Sequence, residues 1–137
     1  MLFFLHLLIV CGGNISGNRG VITSPNFPGK YVSNLDCQWV INVSSGKIVR
    51  VTIETMVLED NQCKNDYLLL VDGSPMSDTI IASLCGNRRN TIHYSTSSHM
   101  TLQFKTNNAL NTEGFQLHWE AVDFGTTGKV DVKLLLC

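Results

Sequence analysis

Charge of either sign is never concentrated in this 137-residue chain. Ten Lys and Arg stand against eleven Asp and Glu, for a formal net charge of −1, and the longest basic run is Arg88-Arg89. A surface for nucleic acid or an anionic membrane needs a basic patch or stripe, so neither partner class is indicated. Catalytic signatures are also missing: the chain has no HExxH, no GxSxG, no phosphate-binding loop and no GxGxxG. His93, His99 and His118 fall singly in strand-like context, where an isolated histidine is more often a surface or hydrogen-bonded residue than a base. These absences point away from an enzyme. There is no CxxC pair and no His at zinc-finger spacing from a cysteine, which argues against a structural zinc site. No internal repeat, low-complexity segment or helical periodicity is present.

Cysteine is the residue the chain does have. Four of the five fall into two blocks, Cys11 with Cys37 and Cys63 with Cys85. Spacing alone allows three pairings among four cysteines. The sequential one is taken as the expectation; each of its loops is long enough to stabilise by about 3 kcal/mol in the chain-entropy model. A disulfide framework places the domain in an oxidising, extracellular setting. Two N-x-[ST] triplets, Asn14-Ile15-Ser16 and Asn42-Val43-Ser44, are candidate glycosylation sites that agree with it. Met1 to Val10, MLFFLHLLIV, is too short to span a bilayer and sits where the apolar region of a secretory signal belongs. It lacks a preceding positive residue and a following cleavage site, so either its start is truncated or it is not cleaved where Cys11 begins; a buried first strand is the competing reading. The expected division is a signal-like start at 1–10, one domain at 11–122 and a tail at 123–137. The tail ends in unpaired Cys137; disorder, an intermolecular disulfide or the start of a further domain would each account for it.

Alternation with period 2 predicts an all-β fold. Cys37, Trp39, Ile41 and Val43 share one face, with Gln38, Val40 and Asn42 on the other. Val49, Val51, Ile53, Thr55 and Val57 form a second inward row; Met100, Leu102 and Phe104 a third; Phe115, Leu117, Trp119 and Ala121 a fourth. Residues 66–71 are apolar on both faces and predict a central strand. Turn residues at Pro25 and Pro28, Ser44-Ser45-Gly46, Asp72-Gly73-Ser74-Pro75 and Asn107-Asn108 separate these rows, a rhythm that implies a sandwich or barrel. Trp39, Trp119 and Phe104 are the expected core aromatics.

The order Cys11-Gly12-Gly13, GVITSPNFPGKY, CQW, LED…CKNDYLLLVDG, LCG and EGFQLHW closely resembles the CUB domain over about residues 11 to 122. The resemblance implies a sandwich of two antiparallel sheets and disulfides Cys11–Cys37 and Cys63–Cys85. It implies a non-catalytic extracellular binding module. In a subset of the family, acids at one end of the sandwich bind calcium and face a basic side chain of a protein partner. By motif those positions are Glu59 after Leu58, Asp66 after Cys63, Asn107 where calcium binders carry Asp, and Tyr31 in the proline-rich turn. An amide at 107 keeps an oxygen ligand but loses a charge, which lowers calcium affinity. Carbonyls near Ala109 and Leu110 remain available, and Asp60, next to Glu59 on an extended segment, points the other way. Two further readings stay open: a calcium-independent carbohydrate or protein binder like the single-domain spermadhesins, and a spacer within a larger receptor or protease.

Overall fold

The computed structural model describes residues 11–108 and 112–127. The expectations for Met1 to Val10, Ala109, Leu110 and Cys137 lie outside them. Nine strands are found among the described residues: β1 Gly12–Ser16, β2 Arg19–Thr23, β3 Asp36–Asn42, β4 Lys47–Val57, β5 Tyr67–Asp72, β6 Ile80–Leu84, β7 Asn87–Tyr94, β8 His99–Lys105 and β9 Gly114–Asp123. A 3₁₀ turn, Phe124–Thr127, follows the last strand, and no helix among the described residues is long and apolar enough to cross a membrane. One sheet has the order β1-β3-β8-β5-β6 and the other β2-β9-β4-β7. Every pairing is antiparallel except β1 with β3. Both disulfides form as expected, Cys11 with Cys37 and Cys63 with Cys85, with Cα atoms 5.2 and 5.3 Å apart.

The period-2 rows become the two inner faces. Trp39 and Ile41 on β3, Met100, Leu102 and Phe104 on β8, and Leu68 and Leu70 on β5 are buried in one sheet. Val49, Val51 and Ile53 on β4 and Phe115, Leu117 and Trp119 on β9 face them from the other. Ala121 is only partly covered. Three edge-to-face contacts run through this core: Trp39 with Phe115 at 6.1 Å, Phe115 with Phe104 at 5.1 Å, and Phe104 with Tyr31 at 5.3 Å between ring centroids. Rings of opposite edge and face polarity attract in this arrangement, beyond the area they bury. The aromatic line therefore links the two sheets and ends at the proline-rich turn.

Two expectations are corrected. Strand β4 does not keep one alternation to its end, because its register against β9 shifts between Ile53 and Thr55. Glu54 is the extra residue, and it stays on the outer face, where Gln116 Nε2 donates to it at 2.8 Å. After a bulge the alternation restarts one position later. Met56 is thus fully buried, while Thr55 and Val57 are half-covered. Strand β5 is interior, but β8 is the middle strand of its sheet. Val71 is nevertheless buried on the outer face, beside Thr101, whose hydroxyl donates to Gly73 O at 2.8 Å and ties down the β5–β6 loop.

On edge strand β7, Thr91 Oγ1 and His93 Nε2 are buried with no hydrogen-bond partner among the described residues. They face inward, opposite Ile53 and Val51. Burial, and then the positive charge of Arg88, hold the His93 imidazole below its ordinary value of 6.5.

Two outcomes follow from this packing. Met56→Ala is expected to cost about 2–5 kcal/mol, as deletion of a buried methionine does, and Val57→Ala about 1 kcal/mol or less. Chemical denaturation checks the order, which plain alternation would reverse. Acidification tests His93: the unfolded chain takes up its proton near pH 6.5 while the folded chain resists until lower pH, so stability falls as pH drops below about 7. The loss of melting temperature between pH 7 and 5 is expected to be smaller in His93→Gln than in wild type.

Candidate functional site

One end of the sandwich gathers the loops that follow β4 and β8 and the segments that precede β3, β5 and β9. Its anchor is Asp66, which has no exposed surface. A buried carboxylate is tolerated only when its oxygens are hydrogen-bonded. Here Tyr31 Oη donates to Asp66 Oδ2 at 2.5 Å, and the Asn107 backbone N–H donates to Oδ1 at 2.9 Å. Asn107 O in turn accepts from Asn34 N at 2.9 Å. One carboxylate thus joins the proline-rich turn, the start of β5 and the loop after β8.

Tyr31 is held from several sides. Its backbone N–H donates to Thr112 O at 3.1 Å. The Thr112 hydroxyl donates to Val57 O and lies 3.4 Å from Tyr31 Oη. Burial, and then the hydrogen bond to Asp66, push the Tyr31 phenol up to about 12, so it is a proton donor at every physiological pH. Beside it, Gly114 has φ 89°, and a Cβ there would come within 1.9 Å of Ser24 Oγ. Only glycine lets β9 start against the turn that carries Tyr31.

Glu59 completes the cluster differently. Its Oε2 accepts from Asn65 Nδ2 at 2.7 Å, while its Oε1 is buried with no partner among the described residues. An orphaned acceptor of this kind is costly unless another group meets it. Asp60 is exposed and lies toward Gly86, away from Glu59 as an extended segment requires. The loop between them and β5 is shaped by left-handed backbone at Gln62 and Cys63 (φ 58° and 56°) and fixed by the Cys63–Cys85 disulfide.

The four residues singled out in the sequence, Tyr31, Glu59, Asp66 and Asn107, therefore meet at one end. Asn65 and Thr112 were not anticipated; both are uncharged residues in loops, and no periodicity marks them. Among the described residues no group of three or more His, Cys, Asp or Glu converges in a metal-holding geometry. A hard cation here would instead draw on two carboxylates, an amide and main-chain carbonyls, all oxygen donors. Glu59 Oε1, with no partner among the described residues, is an oxygen donor of the kind such a cation takes, and beyond the one hydrogen bond each Asp66 oxygen accepts from those residues it retains acceptor capacity.

Both candidate glycosylation sites lie on the outer face of the β1-containing sheet, Asn14 on β1 and Asn42 on β3. Asn14 is exposed, whereas Asn42 is half-buried.

The family model described as CUB domain matches residues 11–119. Human cubilin is 34% identical over 122 residues, 86% of this chain and 3% of cubilin. The chain spans about 3–4% of the length of the curated relatives it matches. Among solved structures, the CUB1-EGF-CUB2 domain of human MASP-1/3 superposes with a TM-score of 0.73 at 25% identity, covering 82% of this chain and 42% of that one. The MASP-1 CUB2 domain bound to Ca2+ gives 0.72 at 24% identity, with 82% and 100% covered.

Tyr31→Phe is expected to leave Asp66 short of its strongest donor and to cost about 1.5–3 kcal/mol, the range for a hydrogen bond to a charged group. Alkaline titration gives an independent check. The unfolded phenol ionises near pH 10 while the folded one waits until about 12, so wild-type stability declines across that window and Tyr31→Phe loses this contribution.

Proposed function

The chain belongs to the CUB domain family, and from that premise we propose that it is an extracellular, non-catalytic module for protein recognition. Its recognition end is the loop cluster around Asp66, organised by calcium and aimed at a Lys or Arg side chain of a protein partner. The observation that carries this reading is Glu59 Oε1, a buried carboxylate oxygen without a partner among the described residues, at the same end of the sandwich as the fully buried Asp66. A carboxylate oxygen sheltered from water and left without a donor is stabilised by a cation that meets it. Glu59, Asp66 and Asn107 would hold the metal, whose chemistry is to neutralise the acids and fix the loops. Tyr31 positions Asp66, and Asn65 positions Glu59, before any ligand arrives. Loops ordered in advance lose less conformational freedom on binding, which raises affinity for the partner. The MASP-1 CUB2 domain, of the same fold, is bound to Ca2+; for this chain the case rests on its own oxygen donors.

Asn107 favours a second reading. It contributes no carboxylate, and Asp66 is already hydrogen-bonded at both oxygens without metal. On that reading the module binds protein or carbohydrate independently of calcium, in the manner of spermadhesins.

Thermal melting against calcium separates the two, because a ligand of the native state raises the midpoint. The wild-type midpoint is expected to rise at millimolar calcium, Asn107→Asp to respond at lower calcium, and Glu59→Gln to lose the response. If neither wild type nor Asn107→Asp responds, the calcium reading fails and the metal-independent one stands.

A further inference from the structure

Strand β1 is an edge strand hydrogen-bonded only to β3 among the described residues. Open edges invite pairing with another chain, and proteins block them with charge, proline, bends or a cover. The other edges carry such devices: Arg19 on β2, Arg88 and Arg89 on β7, and a register shift where β6 meets β5. The sequence of β1, GGNIS, has no charge and no proline, and its residues are exposed apart from Ile15. Gly12 and Gly13 bring backbone at positive φ, 95° and 131°, but no side chain to cover the edge. What β1 does carry is a complete Asn14-Ile15-Ser16 sequon with the asparagine exposed.

We propose that Asn14 bears an N-linked oligosaccharide and that this glycan is the block on the β1 edge. The donor class is a lipid diphosphate-linked oligosaccharide of the secretory compartment. Asn14 Nδ2 forms a bond to the anomeric carbon, the glycosyl–phosphate bond breaks, Nδ2 gives up one proton and the lipid diphosphate leaves. The product is a solvated, bulky group rooted in the edge strand, where it obstructs approach of a second strand. Asn42 is a poorer seat. It lies on interior strand β3 between Ser16 and His99, its Oδ1 is 2.5 Å from His99 Nδ1, and its Nδ2 donates to Val40 O at 3.3 Å. This proposal rests on passage through the secretory compartment and not on calcium, so its test is separate from the calcium titration.

The test uses the full chain secreted from eukaryotic cells, with glycosidase-sensitive gel mobility and light scattering as readouts. Wild type and Asn42→Gln are expected to lose the same mass on glycosidase treatment, and Asn14→Gln and Ser16→Ala to show no such loss. Ser16→Ala, bare at the edge, is expected to self-associate as concentration rises. Ser16→Lys also destroys the sequon but puts a charge on β1, so it is expected to remain monomeric without sugar. That variant also shows whether the strand folds unglycosylated. A wild type without glycan, or a mobility shift lost in Asn42→Gln and kept in Asn14→Gln, overturns the assignment of the site. An unglycosylated Ser16→Ala that stays monomeric at wild-type concentrations overturns the role.

Discussion

The arrangement of the loop end around Tyr31 and Asn107 depends on one buried carboxylate. Asp66 cannot be withdrawn from water without donors, and the two it has among the described residues come from segments far apart in sequence, Tyr31 and Asn107. The requirement works outward. To deliver its hydroxyl, Tyr31 must pack against Phe104 and keep its main chain on Thr112; to deliver its amide, Asn107 must turn immediately after β8, with its carbonyl accepting from Asn34. The loops are thereby fixed by electrostatic necessity at a single atom pair as much as by their own turn residues.

How much of this was legible in the sequence follows from the range of each interaction. Trp39, Phe104 and Trp119 were placed correctly because alternation is a local property: whichever strand lies next door, every second residue shares a face. Met56 was missed because a bulge is set by the partner strand, here β9 opposite Glu54, and the sequence of β4 has no mark of it. Short strands such as β1 and β6 offer too few positions for a period to emerge. At the site, Tyr31, Glu59, Asp66 and Asn107 came from motif resemblance. Their convergence, and the parts played by Asn65 and Thr112, depend on loop geometry that no spacing rule encodes.

The outer face of the β2-β9-β4-β7 sheet shows a different use of charge. Glu120 sits between Arg19, at 3.8 Å, and Arg50, which donates to it closely. These partners face one another across paired strands, so the ladder register itself brings opposite charges together. Exposed pairs of this kind add little stability. Their arrangement disfavours register slips, since a shift of one residue would move each charge to the opposite face.

The line of rings from Trp39 through Phe115 and Phe104 to Tyr31 has a consequence for how the molecule comes apart. A recognition loop is commonly the softest part of a domain, able to open while the rest stays folded. Here the last ring of the core is also the residue that holds the site's buried acid. Local opening at that end would have to pull Tyr31 off Phe104 and strand Asp66 together, so the site has little independent melting of its own. Its amides should exchange with solvent on nearly the same timescale as those of the sandwich interior, making this loop end and the core a single cooperative unit.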